Sequence, residues 1–281
     1  MTLLTINKLT PSVGAEVLGV DPDRLASDDS LGAAVLDALQ ANGVLVFPGL
    51  GLDPEAQVAF SRRLGAVDHS SDGHHPVAGI YPITLDTSKN KSAAYLRATF
   101  EWHIDGCTPT GDECPQKATV LSALQVADRG GETEFANSYA AYEAFTDEEK
   151  ERFSALRVVH SLEASQSRVN PNPAAEELAR WRSRPTHEHP LVWTHRSGRK
   201  SLVLGASAHY VVGMDRDEGQ ALLAELLDRA TQPELVYSHR WSVGDTVVWD
   251  NNGVLHRAAP YAPDSQREML RTTVLGDEPI Q

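Results

Sequence analysis

A long succession of short, strand-like runs separated by turn signals is the feature that most constrains the fold of this chain. The runs span residues 15–20, 43–47, 80–85, 118–126, 132–136, 191–194, 201–204, 234–241, 246–249 and 270–275. Turn sequences such as Arg129-Gly130-Gly131 and Val243-Gly244-Asp245 separate them. Many short strands at this density favour a double-stranded β-helix, the jelly-roll core, in which two sheets pack face to face.

Helices are predicted at the edges of this core, beginning with residues 31–42. Three further helix starts are signalled by N-cap residues. They are Asp53 followed by Pro54, Thr146 answered by Glu149, and Asp215 answered by Glu218. In the last of these helices, Leu222, Leu223, Leu226 and Leu227 form one apolar stripe. The predicted fold class is therefore mostly β with helical decoration, an α+β arrangement around a jelly roll.

Residues 162–190 differ from the rest of the chain. The stretch is polar, interrupted by prolines and weakly periodic, except for a short helix predicted near residues 174–181. We interpret it as a lid inserted over one end of the sheets. No linker divides the remaining sequence, so we expect a single domain over residues 1–281.

Composition excludes several classes of function. With 39 acidic and 25 basic residues the formal net charge is −14, which argues against a non-specific grip on nucleic acid or an anionic membrane. The apolar runs are strand-length, well short of the ~20 residues of a membrane span. The two cysteines, Cys107 and Cys114, give no disulfide framework, and the N-terminus lacks a secretory pattern. We expect a cytoplasmic protein; the sequence leaves its oligomeric state open, a homo-oligomer included.

Two histidines and an aspartate form the strongest candidate site. His103 and Asp105 stand two positions apart, and in an extended strand such residues project from one face while Ile104 points into the core. His256 lies far along the chain, so it comes from another strand. Two imidazoles and one carboxylate are the ligand set of a facial-triad iron site, which leaves positions on the metal open for oxygen and a co-substrate.

Two arginines follow the distal histidine. If the chain from Arg267 onward is extended, Arg267 and Arg271 share a face and stand about 13 Å apart at roughly 3.3 Å per residue. One guanidinium grips one carboxylate in a bidentate fork, so two at that separation indicate two different anions near one metal.

Taken together and in order, these motifs resemble the taurine and dichlorophenoxyacetate dioxygenase family of iron(II)- and 2-oxoglutarate-dependent enzymes, over nearly the whole chain. The matching segments are Gly14-Ala15-Glu16-Val17, Phe60-Ser61-Arg62-Arg63-Leu64-Gly65, Trp102-His103-Ile104-Asp105, Gly130-Gly131-Glu132-Thr133, Ala141-Tyr142-Glu143-Ala144, Trp249-Asp250-Asn251, His256-Arg257-Ala258 and Arg271-Thr272-Thr273-Val274-Leu275-Gly276-Asp277.

The resemblance implies a role for each matching position. His103, Asp105 and His256 match the iron ligands, and Thr133 and Arg267 match the residues that bind the distal carboxylate of 2-oxoglutarate. The implied reaction uses Fe(II), dioxygen and 2-oxoglutarate to hydroxylate an organic substrate, releasing succinate and carbon dioxide.

The substrate region departs from taurine dioxygenase. Arg271 matches a residue that contacts the taurine sulfonate there, but Ser70 stands in place of a sulfonate-binding histidine, beside His69, and Gly106 follows the metal-binding aspartate. We expect Arg271, His69, Ser70 and Gly106 to contact a small anionic substrate other than taurine.

Two other functions remain open from the sequence. A cupin-like metal hydrolase or isomerase could use the same kind of barrel, although it would have no need of an anchor for a keto diacid at Arg267. A non-catalytic metal- or anion-binding protein of the same fold is the second alternative, and the intact triad argues against it.

Overall fold

The computed structural model describes residues 4–70, 74–109 and 114–281. Its α-helices are α1 (Pro22–Ser27), α2 (Asp29–Asn42), α3 (Pro54–Leu64), α4 (Ser138–Glu143), α5 (Asp147–Ser154), α6 (Leu162–Val169), α7 (Ala175–Arg182) and α8 (Arg216–Ala230). Two short 3₁₀ helices cover Tyr95–Phe100 and Pro233–Leu235. No helix in these ranges combines the length and the apolar character needed to cross a bilayer.

The strands are β1 (Thr5–Lys8), β2 (Ala15–Leu18), β3 (Val44–Phe47), β4 (Tyr81–Ile83), β5 (Ala118–Gln125), β6 (Thr133–Asn137), β7 (Arg157–His160), β8 (His187–Pro190), β9 (Val192–Thr194), β10 (Lys200–Leu202), β11 (Ala208–Val211), β12 (Val236–His239), β13 (Thr246–Asp250), β14 (Val254–Ala258) and β15 (Glu268–Val274). The major sheet has seven strands in the order β1-β2-β3-β13-β5-β15-β4. A sheet of β12-β6-β14 faces it, and smaller sheets of β11-β7-β8 and β10-β9 continue the second layer. The architecture is the expected jelly roll with helices around it.

Successive side chains of the major sheet alternate between its two faces, and each face contributes to a separate hydrophobic core. On β3, Val44 and Val46 face the second sheet, whereas Leu45 and Phe47 face the helices. On β13, Val247 and Trp249 point inward and Val248 outward. Because successive side chains of a strand lie on opposite faces, the same rule turns Thr119 of β5 and Arg271 of β15 toward the space between the sheets. That space holds the candidate site.

Helices α1, α2 and α3 cover the outer face of the major sheet. Leu25, Val35 and Phe60 are fully buried against it. Asp53 accepts the backbone N–H of Ala56, and Thr146 and Glu149 form the predicted capping box of α5. Asp215 caps α8 through its own carboxylate, but the predicted return contact from Glu218 is not seen among the described residues. These helices leave the opposite face of the sheet open to the interior.

Within residues 162–190, the short helix predicted near residues 174–181 is present as α7, but the rest of the segment is more regular than predicted. Instead of one short helix in an otherwise irregular stretch, the segment contains α6, α7 and strand β8. Strand β8 pairs with β7 over four residues, although its sequence, His-Glu-His-Pro, has almost no β propensity. Long-range pairing overrides a weak local preference here.

The stretch after Arg267 is also less regular than predicted. Strand β15 begins at Glu268, and its pairing with β5 shifts register between Glu268 and Met269. Gln266, just before the strand, adopts a left-handed backbone with φ 59°. Arg267 therefore sits at an irregular strand entrance rather than within one continuous extended run with Arg271.

Candidate active site

His103, Asp105 and His256 converge, with one ligand atom from each lying within 4.8 Å of the others. His103 Nε2 is 3.8 Å from Asp105 Oδ1, and His256 Nε2 is 3.7 Å from Asp105 Oδ2. Two backbone hydrogen bonds join the histidines directly, from His103 N to His256 O at 3.0 Å and from His256 N to His103 O at 2.9 Å. The three donors form one compact group of two imidazoles and a carboxylate.

The segment carrying His103 and Asp105 is a turn rather than a continuous strand. Only His103 pairs, in an isolated antiparallel bridge, and the chain then turns at Asp105 and Gly106. Ile104 is buried in the core as expected. Gly106 has φ 87°, and a Cβ there would meet the backbone of Pro115 at 2.7 Å. The turn therefore requires glycine, and it aims Asp105 back toward the two histidines.

Electrostatics favour the protonation states that bind metal. Burial, reinforced by the neighbouring His103, lowers the pKa of His256 to about 3, so its imidazole is neutral. Burial alone would raise the pKa of Asp105, but His256, Arg271 and His103 together outweigh it and lower that pKa. A neutral imidazole and an ionised carboxylate are both lone-pair donors.

Side chains around the ligands orient them. His103 Nδ1 lies 2.8 Å from the carbonyl oxygen of Glu101, which makes Nδ1 the donor and leaves Nε2 free as a ligand. Thr119 Oγ1 is 3.5 Å from Asp105 Oδ2, and Asn251 Nδ2 donates to Thr119 Oγ1 at 2.9 Å. Neither contact was predicted from the sequence.

Arg267 is the most deeply buried cation of the site. It is 3 % exposed, its guanidinium lies 4.8 Å from the centre of the Tyr261 ring, and it forms no ion pair with a carboxylate in the described part of the chain. Burial lowers its pKa. Its side chain crosses Gly131, where a Cβ would stand 3.0 Å from Arg267 Cδ and Nε. The glycine turn before Thr133 therefore makes room for this arginine.

Arg271 occupies a different part of the interior. Its guanidinium lies 5.1 Å from the centre of the Tyr81 ring on β4, and its charge reaches Asp105. The buried Nε atom has no hydrogen-bond partner among residues 4–70, 74–109 and 114–281. Arg267 and Arg271 thus have separate neighbours, as expected for two anion sites.

The predicted substrate contacts His69 and Ser70 lie in an exposed loop. Ser70 donates its hydroxyl to Asp68 Oδ2 at 2.8 Å, and its backbone N–H is bound to the same carboxylate. His74 instead contacts Tyr81, the aromatic neighbour of Arg271, with ring centres 5.1 Å apart. Residues 71–73 of this loop are outside the described part of the chain. The structure therefore connects His74, rather than Ser70, to the surroundings of Arg271.

Comparison with known proteins agrees with this geometry. The family model described as "Taurine catabolism dioxygenase TauD, TfdA family" matches residues 5–273. The (S)-phenoxypropionate/alpha-ketoglutarate-dioxygenase of Sphingobium herbicidovorans is 34% identical over 279 residues, which cover 97% of this chain and 95% of that protein. The alpha-ketoglutarate-dependent 2,4-dichlorophenoxyacetate dioxygenase of Cupriavidus pinatubonensis is 36% identical over 253 residues, 85% of this chain and 86% of that protein.

A solved structure matches equally well. The crystal structure of AAD-2 in complex with Mn(II) and N-oxalylglycine superposes with a TM-score of 0.83 at 31% identity, covering 99% of this chain and 100% of that one. The match therefore extends over nearly the whole chain. The chain belongs to the TauD, TfdA family and is a 2-oxoglutarate-dependent dioxygenase.

Proposed function

We propose that this enzyme binds iron(II) through His103, Asp105 and His256, holds 2-oxoglutarate with Thr133 and Arg267, and hydroxylates a small organic anion held by Arg271. When bound, iron(II) supplies the chemistry by which dioxygen oxidises 2-oxoglutarate to succinate and carbon dioxide and hydroxylates a C–H bond of the substrate. The residues of the chain bind, orient and shield the reactants.

The donor set fits iron(II). Two imidazoles and one carboxylate within 4.8 Å of one another leave the rest of a metal's coordination sphere open for a co-substrate. The Thr119 hydroxyl contacts the Asp105 carboxylate, and the carbonyl of Glu101 accepts a hydrogen bond from His103. Metal ligands usually have such contacts on the side that faces away from the metal.

The observation that carries the proposal is that the buried Arg267 has no carboxylate partner among the residues that the structure describes. A buried guanidinium is costly unless an anion pairs with it. The 280 Å³ cavity that Arg267 lines, with Gly130, Gly131 and Trp241, has room for one end of a small diacid. The distal carboxylate of 2-oxoglutarate supplies the missing charge.

Arg271 supports an anionic substrate by the same reasoning. Its buried Nε lacks a partner in the described ranges, and it lies beside Tyr81, an aromatic wall for an organic group. The relatives named for phenoxypropionate and 2,4-dichlorophenoxyacetate point to aryloxyalkanoates. We infer that the carboxylate of such an acid pairs with Arg271. Hydroxylation of the carbon between carboxylate and ether oxygen gives a hemiacetal or hemiketal, which collapses to a phenol and a 2-oxo acid.

Two arginine variants test this assignment in one experiment. Arg267→Gln should weaken 2-oxoglutarate binding by roughly 30-fold or more, because truncating one partner of a buried ion pair typically costs about 2–5 kcal/mol. Arg271→Gln should raise the KM for an aryloxyalkanoate steeply while 2-oxoglutarate affinity stays within about twofold. Arg62→Gln, at an exposed helical position, is the matched control.

The readouts are calorimetric titration of 2-oxoglutarate and substrate-dependent succinate release. Unchanged 2-oxoglutarate affinity in Arg267→Gln would remove the co-substrate site from this residue. A neutral best substrate, or an Arg271→Gln effect confined to 2-oxoglutarate, would refute the anionic substrate. Because the chain belongs to a dioxygenase family, a cupin-like hydrolase is no longer needed to explain the metal-binding residues. If no acid, sulfonate or sulfate ester stimulates succinate release, a non-catalytic protein would be favoured instead.

A further inference from the structure

Trp241 makes a hydrogen bond that the proposed reaction does not yet use. Its indole Nε1 donates to Thr133 Oγ1 at 2.9 Å, and both side chains are buried. The two residues come from separate parts of the second sheet: Thr133 begins β6, and Trp241 follows β12. Trp241 also lines the 280 Å³ cavity that contains Arg267.

The chemistry of the two groups fixes the direction of this bond. An indole N–H can only donate, whereas a threonine hydroxyl has one proton and two lone pairs. Thr133 must therefore accept from Trp241, and its own proton remains available. No acceptor for that proton lies among the residues that the structure describes. A buried O–H without an acceptor is poorly satisfied unless a ligand accepts from it.

Neighbouring contacts hold the indole in place. The Trp241 ring meets the edge of His239, with ring centres 4.6 Å apart. His239 Nε2 lies 3.2 Å from Asp245 Oδ2, and Asp245 accepts the backbone N–H groups of Ser242 and Gly49. The turn between β12 and β13 thereby fixes the Trp241 side chain before any ligand arrives.

We propose that Trp241 is a positioning residue for the co-substrate: by occupying one lone pair of Thr133, it commits the Thr133 hydroxyl to donate to the distal carboxylate of 2-oxoglutarate. This inference rests on the proposed function and deepens it. Thr133 and Arg267 would then both donate hydrogen bonds to that carboxylate. A diacid is selected over a 2-oxo acid that ends in a methyl group, because the methyl group would leave both donors without an acceptor.

Trp241→Phe is the direct test, since it keeps an aromatic ring and removes the N–H. On Mn(II)-loaded protein, calorimetry should give a five- to tenfold weaker Kd for 2-oxoglutarate. The Kd for 2-oxopentanoate, which lacks the distal carboxylate, should change less than twofold, and so should the Kd for Mn(II). Damage to the pocket as a whole would instead weaken both 2-oxo acids alike, and that result would overturn the proposal.

A double-mutant cycle separates this proposal from the proposed function. In a Thr133→Val background, Trp241→Phe should change the 2-oxoglutarate Kd less than twofold, because the hydroxyl that it orients is gone. Trp193→Phe is the matched control, as Trp193 is equally buried and its Nε1 has no partner in the described ranges. Its 2-oxoglutarate affinity should equal that of the wild type.

The possible failures are distinguishable. If Thr133→Val and Arg267→Gln leave 2-oxoglutarate binding intact, the proposed function is wrong; if they weaken it and Trp241→Phe does not, only the role of Trp241 is wrong. Should Trp241→Phe fail to fold, benzothienylalanine at position 241 answers the same question. It keeps the bicyclic shape and replaces the N–H by sulfur. We expect the same loss of affinity for 2-oxoglutarate relative to 2-oxopentanoate.

Discussion

The Asp105 carboxylate contacts the hydroxyl of Thr119, which in turn accepts a hydrogen bond from the side-chain amide of Asn251. Asn251 Nδ2 donates to Thr119 Oγ1, so the Thr119 proton is left to point toward Asp105 Oδ2. Both outer residues are completely buried. Their contribution is to restrict rotation of the carboxylate, because a carboxylate free to turn would meet the two imidazoles in several orientations.

Removing that hydroxyl should weaken metal binding. We expect Thr119→Val to lower the affinity for Fe(II) or Mn(II) by roughly 10- to 100-fold, the usual effect of losing a contact behind a ligand. Thr246→Val is the control, because its hydroxyl is equally buried and bonds Ser122 instead. Calorimetric titration of each variant with the metal gives the two affinities to be compared. Equal metal affinities for the two variants would mean that Thr119 is a packing residue.

The sequence predicted the residues that converge on the site better than the contacts that hold them. His103, Asp105 and His256 were identified from residue type and order, and the structure brings them together. Thr119 and Asn251 were missed because their contact depends on how β5 and the turn after β13 meet in space. The signal that could have found Thr119 is alternation: it shares the inward face of β5 with Leu121 and Ala123.

Helices α6 and α7 are weakly attached to the core. Each has a single buried side chain, Gln166 in α6 and Trp181 in α7. The two helices are joined to each other by an exposed pair, Arg182 with Glu163. By contrast, β8 in the same insertion is paired with β7. We therefore propose that the mobile part of the lid is the helical pair, and that β8 remains fixed.

Amide exchange should detect this difference. Without substrate, amides of α6 and α7 should exchange faster than those of β8 and β13, because elements with few buried contacts open at low free energy. Adding 2-oxoglutarate and an aryloxyalkanoate to the Mn(II)-loaded enzyme should slow exchange in the helices alone, as closure excludes water. Equal protection of α6 and β13 before ligand addition would argue against a lid.

Strands were not predicted where the local sequence is polar but the segment pairs with another strand. The runs at 118–126 and 246–249 were predicted nearly to their observed ends, since they are apolar and rich in β-branched residues. Strands β7 and β8 were missed because Arg157–His160 and His187–Pro190 carry polar or charged residues at half or more of their positions. They form because β7 and β8 pair with each other and β7 also pairs with β11.

For the molecule as a whole, one buried acid links stability to pH. Burial raises the pKa of Asp250 to about 6, although Tyr139, Arg199 and Lys117 oppose the shift. Tyr139 donates its hydroxyl to Asp250 Oδ2 at 3.1 Å, and the ring of Tyr139 lies under Arg199. Because the folded-state pKa lies above the ordinary value of 3.8, the folded protein binds this proton more tightly than the unfolded chain. Ionisation of Asp250 therefore lowers stability as pH rises from about 4 to 6.

Asp250→Asn should remove this penalty. At pH 8 we expect the variant to be more stable than the wild type by on the order of 3 kcal/mol, from a shift of about two pKa units. Below pH 4 the difference should vanish, since both side chains are then neutral. Asp37→Asn is the control, because Asp37 is exposed and lines the same 230 Å³ cavity as Asp250. Urea unfolding at each pH gives the free energies, and a variant that is less stable at pH 8 would contradict the assignment.

The backbone bridge between His103 and His256 also bears on how the protein folds. These two residues are separated by more than half of the chain, and their mutual hydrogen bonds form only when distant segments meet. Bringing such distant segments together costs loop-closure entropy, and contacts that form early between nearby residues do not offset this cost. We therefore expect the proposed metal site to be completed late in folding. A metal ion that binds only the completed site slows unfolding and leaves the rate of folding almost unchanged.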